Sequence, residues 1–155
     1  MLNKSLFSSS KHDWETPQDL FDKLDKVYGF NLDPCATEDN AKCDKFFTEE
    51  TDGLKQNWLI PSWSYIPDNT VPGRVFVNPP YGREIGKWVK KAHEEFISGN
   101  AVLIVMLLPA RTDTAWFHDF IYGKADIKFL RGRLKFGDAK NSAPFPSMLV
   151  TYKEV

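Results

Sequence analysis

Apolar positions along the chain follow two alternating patterns. Helical spacing over roughly 17–28, 83–98 and 113–122 predicts three amphipathic helices. Short apolar runs predict strands at 30–32, 45–48, 75–77, 101–108, 127–130 and 148–152, whereas residues 61–73 have the composition of a loop. The continuous run 101–108 is typical of a central parallel strand that is covered on both faces. Because strands and helices alternate, the sequence predicts an α/β domain with a doubly wound sheet.

The first predicted helix has recognisable ends. Thr16 suits the N-cap and Pro17 suits the first helical position, while Gly29 is placed to end the helix. Its apolar face should consist of Leu20, Phe21, Leu24, Val27 and Tyr28.

Composition limits the class of protein. The 155 residues, of which 42% are hydrophobic and 26% charged, are enough for one globular domain. We expect a flexible arm over residues 1–10 and a single domain over 11–155. Since the longest apolar run is too short to span a bilayer, no membrane partner is predicted. The oligomeric state stays open.

The cysteines carry little information about function. Cys35 and Cys43 form no disulfide framework, so a reducing cytoplasm is the simplest setting. Their spacing with His12, His93 and His118 fits no zinc pattern, and we therefore expect no metal.

The net charge of −1 conceals an asymmetry along the chain. Residues 1–70 hold 7 Lys/Arg and 13 Asp/Glu, whereas residues 71–155 hold 13 and 8. A basic half often marks a surface that binds nucleic acid, although a mixed solvated surface explains the charges equally well.

The strongest chemical signal is the segment Asn78-Pro79-Pro80-Tyr81-Gly82, which lies between a predicted strand and a predicted helix. Open α/β sheets hold their ligands at the carboxyl ends of strands. The two prolines stiffen the loop and remove two N–H donors, which leaves the carbonyls of Asn78 and Pro79 able to face a ligand. An amide, free carbonyls and an aromatic face suit a flat group that bears an amine. A proline-rich turn that caps the next helix is the plain alternative.

Two further segments should lie at the same edge of the sheet. Trp14-Glu15-Thr16-Pro17 begins the first helix, and Leu32-Asp33-Pro34-Cys35-Ala36 ends the first strand. A helix N-terminus offers free N–H groups to a carboxylate, and Asp33 offers a countercharge to an ammonium. Together they suit a zwitterionic amino-acid group, such as the methionine part of S-adenosylmethionine.

These three segments, in this order, resemble the phage-type DNA N-6-adenine methyltransferases, which are small S-adenosylmethionine-dependent enzymes. The resemblance runs from Trp14 to about Val150. It also includes Asp52-Gly53-Leu54 with Trp58, residues 108–114 with Trp116-Phe117, Gly132-Arg133 and residues 142–147. It implies a reduced, Rossmann-like class I methyltransferase sheet without a separate target-recognition domain.

The resemblance also implies roles for individual residues. S-adenosylmethionine would contact Trp14, Thr16, Pro17, Asp33, Cys35, Asp52 and Asn78. The catalytic loop would consist of Asn78, Pro79, Pro80 and Tyr81. There the Asn78 side-chain oxygen and the Pro79 carbonyl would accept the two amine hydrogens of adenine, while Tyr81 would stack on a base flipped out of the duplex. The plain alternatives are a cap for Asp33, a turn residue for Asp52 and a core residue for Trp14.

DNA is the predicted partner. Phosphate or substrate contacts are expected from Arg111, Arg131, Arg133 and Lys135. Alternatively, Arg111 forms a structural ion pair and the other three are solvated surface charges. Trp63 and Tyr65 would either stack on nucleic acid or, more simply, pack within their loop.

Two other functions stay open. The first is methylation of another planar amine: the N4 amine of cytosine, an amine of an RNA base or the amide of a protein glutamine. The second is a non-catalytic DNA-binding protein on the same scaffold. A phage or prophage origin would place the protein in the bacterial cytoplasm, where protection of phage DNA from restriction is one compatible role.

Overall fold

The computed structural model describes residues 14–62, 69–137 and 139–154. The helices are α1 Gln18–Tyr28, α2 Ile85–Ile97 and α3 Ala115–Phe120. The main sheet consists of β3 Gly73–Val77, β4 Ala101–Pro109, β5 Asp126–Phe129 and β6 Ser147–Lys153. A separate antiparallel pair is formed by β1 Ile60–Pro61 and β2 Thr70–Val71. The predicted N-terminal arm lies outside the described residues, as do Trp63 and Tyr65.

The main sheet is mixed and has the strand order β3-β4-β6-β5. β3 and β4 are parallel, whereas β6 is antiparallel to both of its neighbours. The α/β prediction and the central place of β4 are therefore confirmed, and the architecture is consistent with a Rossmann-like methyltransferase sheet. As predicted, β4 is a parallel strand with respect to β3, but its other neighbour β6 is antiparallel, because the chain returns from β5 to β6 without a crossover helix.

The two strands predicted before residue 50 are reduced to single bridges. Leu32 pairs with Val75, and Asp33 pairs with Phe46, both in parallel orientation. The ladder stops there because Pro34 has no N–H to donate. The loop predicted over 61–73 was wrong at its ends, since β1, β2 and the start of β3 fall within it.

Helix α1 begins one residue later than predicted. It starts at Gln18 with Pro17 as the N-cap residue, and no side chain caps its first turn. Thr16 lies one position before the N-cap, and its hydroxyl oxygen accepts a hydrogen bond from Asn78. The predicted end at Gly29 is confirmed. Val27 was wrongly placed on the apolar face, since it is 74% exposed, whereas Phe21 is buried.

Helix α2 packs on the sheet with the face that its periodicity predicted. Ile85, Trp88, Val89 and Ala92 are buried in one core with the residues of β3 and β4.

The described part of the chain contains no helix long and apolar enough to cross a membrane. Nor do its His, Cys, Asp and Glu side chains form a group of three or more that could hold a metal ion.

Candidate active site

A cleft of about 1050 Å³ opens at the carboxyl end of β3. It brings together the three segments that the sequence placed at this edge. Of the predicted site residues, those that line it are Trp14, Thr16, Asp33, Cys35, Asp52, Asn78, Pro79, Pro80 and Tyr81. Pro17, the N-cap of α1, is not among the lining residues. The cleft is at the upper end of the size range of ligand sites, which is roughly 300–1000 Å³.

The side-chain amide of Asn78 is held by the segment that precedes α1. Its nitrogen Nδ2 donates one hydrogen bond to the backbone carbonyl of Trp14 and another, of 3.0 Å, to the hydroxyl oxygen of Thr16. A backbone carbonyl can only accept, so the nitrogen and not the oxygen must face Trp14. Both amide hydrogens are thereby used, and the orientation of the group is fixed.

The opposite atom of the same amide is left without a partner. Asn78 Oδ1 is buried and makes no hydrogen bond within the described part of the protein. Buried polar atoms are normally paired, so an unpaired acceptor in a cleft needs an explanation. The neighbouring Pro79 carbonyl receives no hydrogen bond from any backbone amide of the described residues. Two oxygen acceptors on one loop are therefore available to a ligand that donates two hydrogens.

Tyr81 is packed too tightly to stack on a base in this conformation. Its ring is 1% exposed, and its hydroxyl donates a 3.0 Å hydrogen bond to the carbonyl of Leu107 in β4. Burial raises the pKa of the phenol well above its usual range, against a lowering influence from the nearby charge of Arg111. In this conformation the ring face is not open to a base, so stacking requires its neighbours to withdraw.

Those neighbours are two phenylalanines that the sequence analysis overlooked. The rings of Phe136 and Phe145 meet the Tyr81 ring edge-on, at centroid distances of 6.2 and 5.6 Å. Trp14 contacts the same two rings, at 5.5 and 5.1 Å. We call these four residues the aromatic cluster. The signal in the sequence was the presence of two aromatic residues within a loop, 131–146, that is rich in basic residues and contains no predicted strand or helix.

Asp33 is almost fully enclosed, at 4% exposure, beside the cleft. One carboxylate oxygen accepts from the backbone N–H of Cys35 at 3.3 Å, and the other accepts from that of Lys42 at 3.0 Å. Burial raises its pKa to about 6, and the two backbone hydrogen bonds and the charge of Lys42 oppose the rise. Asp33 thus acts as a cap for the 35–42 loop and also presents a carboxyl group to the cleft.

Asp52 lies in a tight turn that lines the cleft. It has a left-handed backbone with φ 54, and its carboxylate accepts from the N–H of Leu54 at 3.1 Å. The following residue must be glycine, since a Cβ at Gly53 would lie 2.0 Å from the carbonyl oxygen of Pro34. The turn interpretation of Asp52 is therefore confirmed, and the same turn sets one wall of the cleft.

Comparison with known proteins agrees with this geometry. A family model described as DNA N-6-adenine-methyltransferase (Dam) matches residues 4–154. The chain belongs to this family.

Two phage relatives extend the comparison. A DNA N-6-adenine-methyltransferase of Escherichia phage T1 is 36% identical over 122 residues, which are 78% of this chain and 45% of that protein. One of Haemophilus phage HP1 is 29% identical over 99% of this chain and 86% of its own length. The chain thus spans about half of the first relative and most of the second.

The predicted DNA contacts lie outside the cleft. Arg111, Arg131, Arg133 and Lys135 are all exposed, and none of them lines it. Arg111 directly follows the end of β4, and its charge acts to lower the pKa of the buried Tyr81 phenol. Arg83 was missed as a member of the site: it lines the cleft directly after Gly82 and is exposed.

Proposed function

We propose that this chain transfers a methyl group from S-adenosylmethionine to the exocyclic N6 amine of adenine in DNA. Membership of the DNA N-6-adenine-methyltransferase family gives the reaction class. The observation that carries the proposal is the Asn78 amide, whose nitrogen is fully engaged and whose buried oxygen is unpaired.

The adenine amine is a poor nucleophile, because its lone pair is delocalised into the ring. Asn78 Oδ1 and the Pro79 carbonyl would accept its two hydrogens and favour a pyramidal nitrogen. The lone pair then points away from the two acceptors, towards the position of the donor methyl. S-adenosylmethionine, when bound, supplies that methyl in an electrophilic form. The chain itself contributes orientation and fixed dipoles, which need no reorganisation during the reaction.

Several residues of the cleft have the chemistry to bind this cofactor. The Asp33 carboxyl can pair with an ammonium, and Trp14 and Cys35 lie around the same cavity. Asp52, which also lines the cleft, is available to the hydroxyls of a ribose or to the cofactor's adenine. The unpaired Asn78 Oδ1 in the same cavity is left as an acceptor for the substrate amine.

DNA would be held by the exposed basic residues near the cleft: Arg83, Arg111, Arg131, Arg133 and Lys135. The target base would be flipped out of the stack to reach Asn78, and Tyr81 would stack on it after the aromatic cluster opens. We place this activity in the cytoplasm of a bacterial host, in a chain of phage or prophage origin.

The experiment is base analysis and modification sequencing of DNA from cells that express the chain, with the Asn78→Ala variant as the matched control. We expect N6-methyladenine in one sequence context with the wild type and none with the variant. If N4-methylcytosine appears, or if the methyl label from S-adenosylmethionine is found only in RNA or protein, the substrate is another planar amine and not adenine in DNA. Absence of cofactor binding by calorimetry would favour a non-catalytic DNA-binding protein.

A further inference from the structure

We propose that Thr16 is a positioning residue, which fixes the Asn78 amide with its oxygen towards the substrate. The inference rests on the proposed function. It assigns to Thr16 a role different from the cofactor contact and the helix cap that the sequence indicated.

Two groups accept hydrogen bonds from Asn78 Nδ2: the Trp14 carbonyl selects the nitrogen, because it can only accept, and the Thr16 hydroxyl holds the second hydrogen in a 3.0 Å hydrogen bond. If the amide rotated by half a turn, Oδ1 would face the Trp14 carbonyl, and two acceptors would repel each other. Rotation about this terminal bond is otherwise broad and roughly two-fold, so the local partners decide the orientation.

The environment of Thr16 suits this role. The residue is 4% exposed, and a β-branched side chain has a restricted χ1, so its hydroxyl is held in place. Helix α1 begins at Gln18 without any side-chain cap, although threonine is a favoured N-cap residue. Since Pro17 takes the N-cap position, the Thr16 hydroxyl caps no backbone N–H of the helix and accepts from Asn78.

The test compares three forms of the chain. Thr16→Val keeps the shape and loses the acceptor, whereas Thr16→Ser keeps the hydroxyl. Single-turnover methylation of unmethylated bacterial DNA is measured at saturating S-adenosylmethionine, and cofactor affinity is measured by calorimetry.

We expect Thr16→Val to lower the single-turnover rate roughly 3- to 10-fold, which is the usual effect of one neutral hydrogen bond. Its cofactor affinity should stay within about twofold of wild type, and Thr16→Ser should recover most of the lost rate. A weakened affinity with an unchanged rate at saturation would make Thr16 a cofactor contact and overturn the inference. A Ser variant as slow as Val would overturn it too.

A second readout does not depend on activity. The side-chain amide signals of Asn78, assigned by their loss in Asn78→Ala, should shift and exchange faster with solvent in Thr16→Val than in the wild type. If Thr16→Val does not fold, Thr16→Ala is measured in its place. Unchanged Asn78 signals would overturn the inference, whether or not the wild type methylates adenine. A wild type that methylates no adenine, with shifted signals, would overturn the proposed function alone.

Discussion

The backbone N–H of Gly137 donates a 2.8 Å hydrogen bond to the carbonyl of Glu15. This bond joins the 131–146 loop, which carries Arg131, Arg133 and Lys135, to the segment that holds Asn78 in place. Gly137 has a left-handed backbone with φ 52, and a Cβ there would lie 3.4 Å from the side chain of Glu15. The loop expected to meet DNA is therefore connected to the residues that orient the Asn78 amide.

This connection predicts that Gly137→Ala will disturb residues 14–16. The substitution adds left-handed strain of about 1–2 kcal/mol and brings a methyl group into contact with the Glu15 side chain. We expect faster hydrogen exchange at residues 14–16 and a slower single-turnover methylation.

Gly123→Ala is the matched control. Gly123 has φ 77 and no atom within 4 Å of an added Cβ, so it introduces similar strain without the contact. If both variants lose only thermal stability, to the same extent, the Gly137–Glu15 connection has no influence on the site.

Asn78→Ala should reduce methyl transfer by on the order of 10²-fold or more, as the loss of one oriented dipole does in other active sites. Cofactor affinity should remain close to wild type. The check is single-turnover kinetics together with calorimetry. Asn57→Ala, at an exposed asparagine that does not line the cleft, is the control. Rates within threefold of wild type for Asn78→Ala would remove this residue from the mechanism.

Asn78→Asp should be at least as damaging as Asn78→Ala. A carboxylate oxygen would then face the Trp14 carbonyl, where the structure has an N–H donor. Repulsion between the two acceptors should displace the side chain and lower both stability and rate, which thermal unfolding and single-turnover kinetics can measure. An active aspartate variant would mean that the Trp14 carbonyl does not select the amide.

Cofactor affinity should depend on pH through Asp33. Burial raises its pKa to about 6, so below that pH the carboxyl of the free protein is neutral and cannot pair with an ammonium. Affinity measured by calorimetry should rise as the pH increases to about 6 and then level off. Asp33→Asn should abolish this rise and weaken binding above pH 6 by roughly 10- to 100-fold, as expected for a charge-assisted hydrogen bond.

The same shift has a consequence for stability. The folded protein retains the Asp33 proton to a higher pH than the unfolded chain, so this group makes folding less favourable as the pH rises from about 4 to about 6. The Asn variant should lack that dependence. If affinity is unchanged in a folded Asp33→Asn protein, Asp33 is only the cap of the 35–42 loop.

Arg133→Ala tests how a small domain holds DNA. Each phosphate contact releases counterions, so a plot of log K for DNA binding against log salt concentration should fall with a slope of about 0.9 for each contact. Loss of one contact should therefore reduce that slope by about one unit. Binding to all sequences should weaken alike. Lys26→Ala, at the end of α1, removes an exposed charge away from the loop and should leave the slope unchanged. If Arg133→Ala also leaves it unchanged, the loop is not on the DNA path, and Arg83 becomes the first residue to examine.

The sequence by itself determined the elements that depend on local pattern. The periodicity of 83–98 gave the correct helix and its buried face, and the apolar run 101–108 gave the central strand. The convergence of the Trp14, Asp33 and Asn78 segments also followed, since strand ends and helix starts meet at one edge of such a sheet.

Only the tertiary structure decided which partner each side chain takes. Thr16 has the residue type of a helix cap, yet Asn78, 62 positions along the chain, uses its hydroxyl oxygen. The antiparallel place of β6, the enclosure of Tyr81 by Phe136 and Phe145, and the raised pKa of Asp33 likewise arise from contacts between distant segments. Periodicity reports which face of an element is apolar. It carries no information about which distant group will meet that face, because the contact forms only when the chain closes.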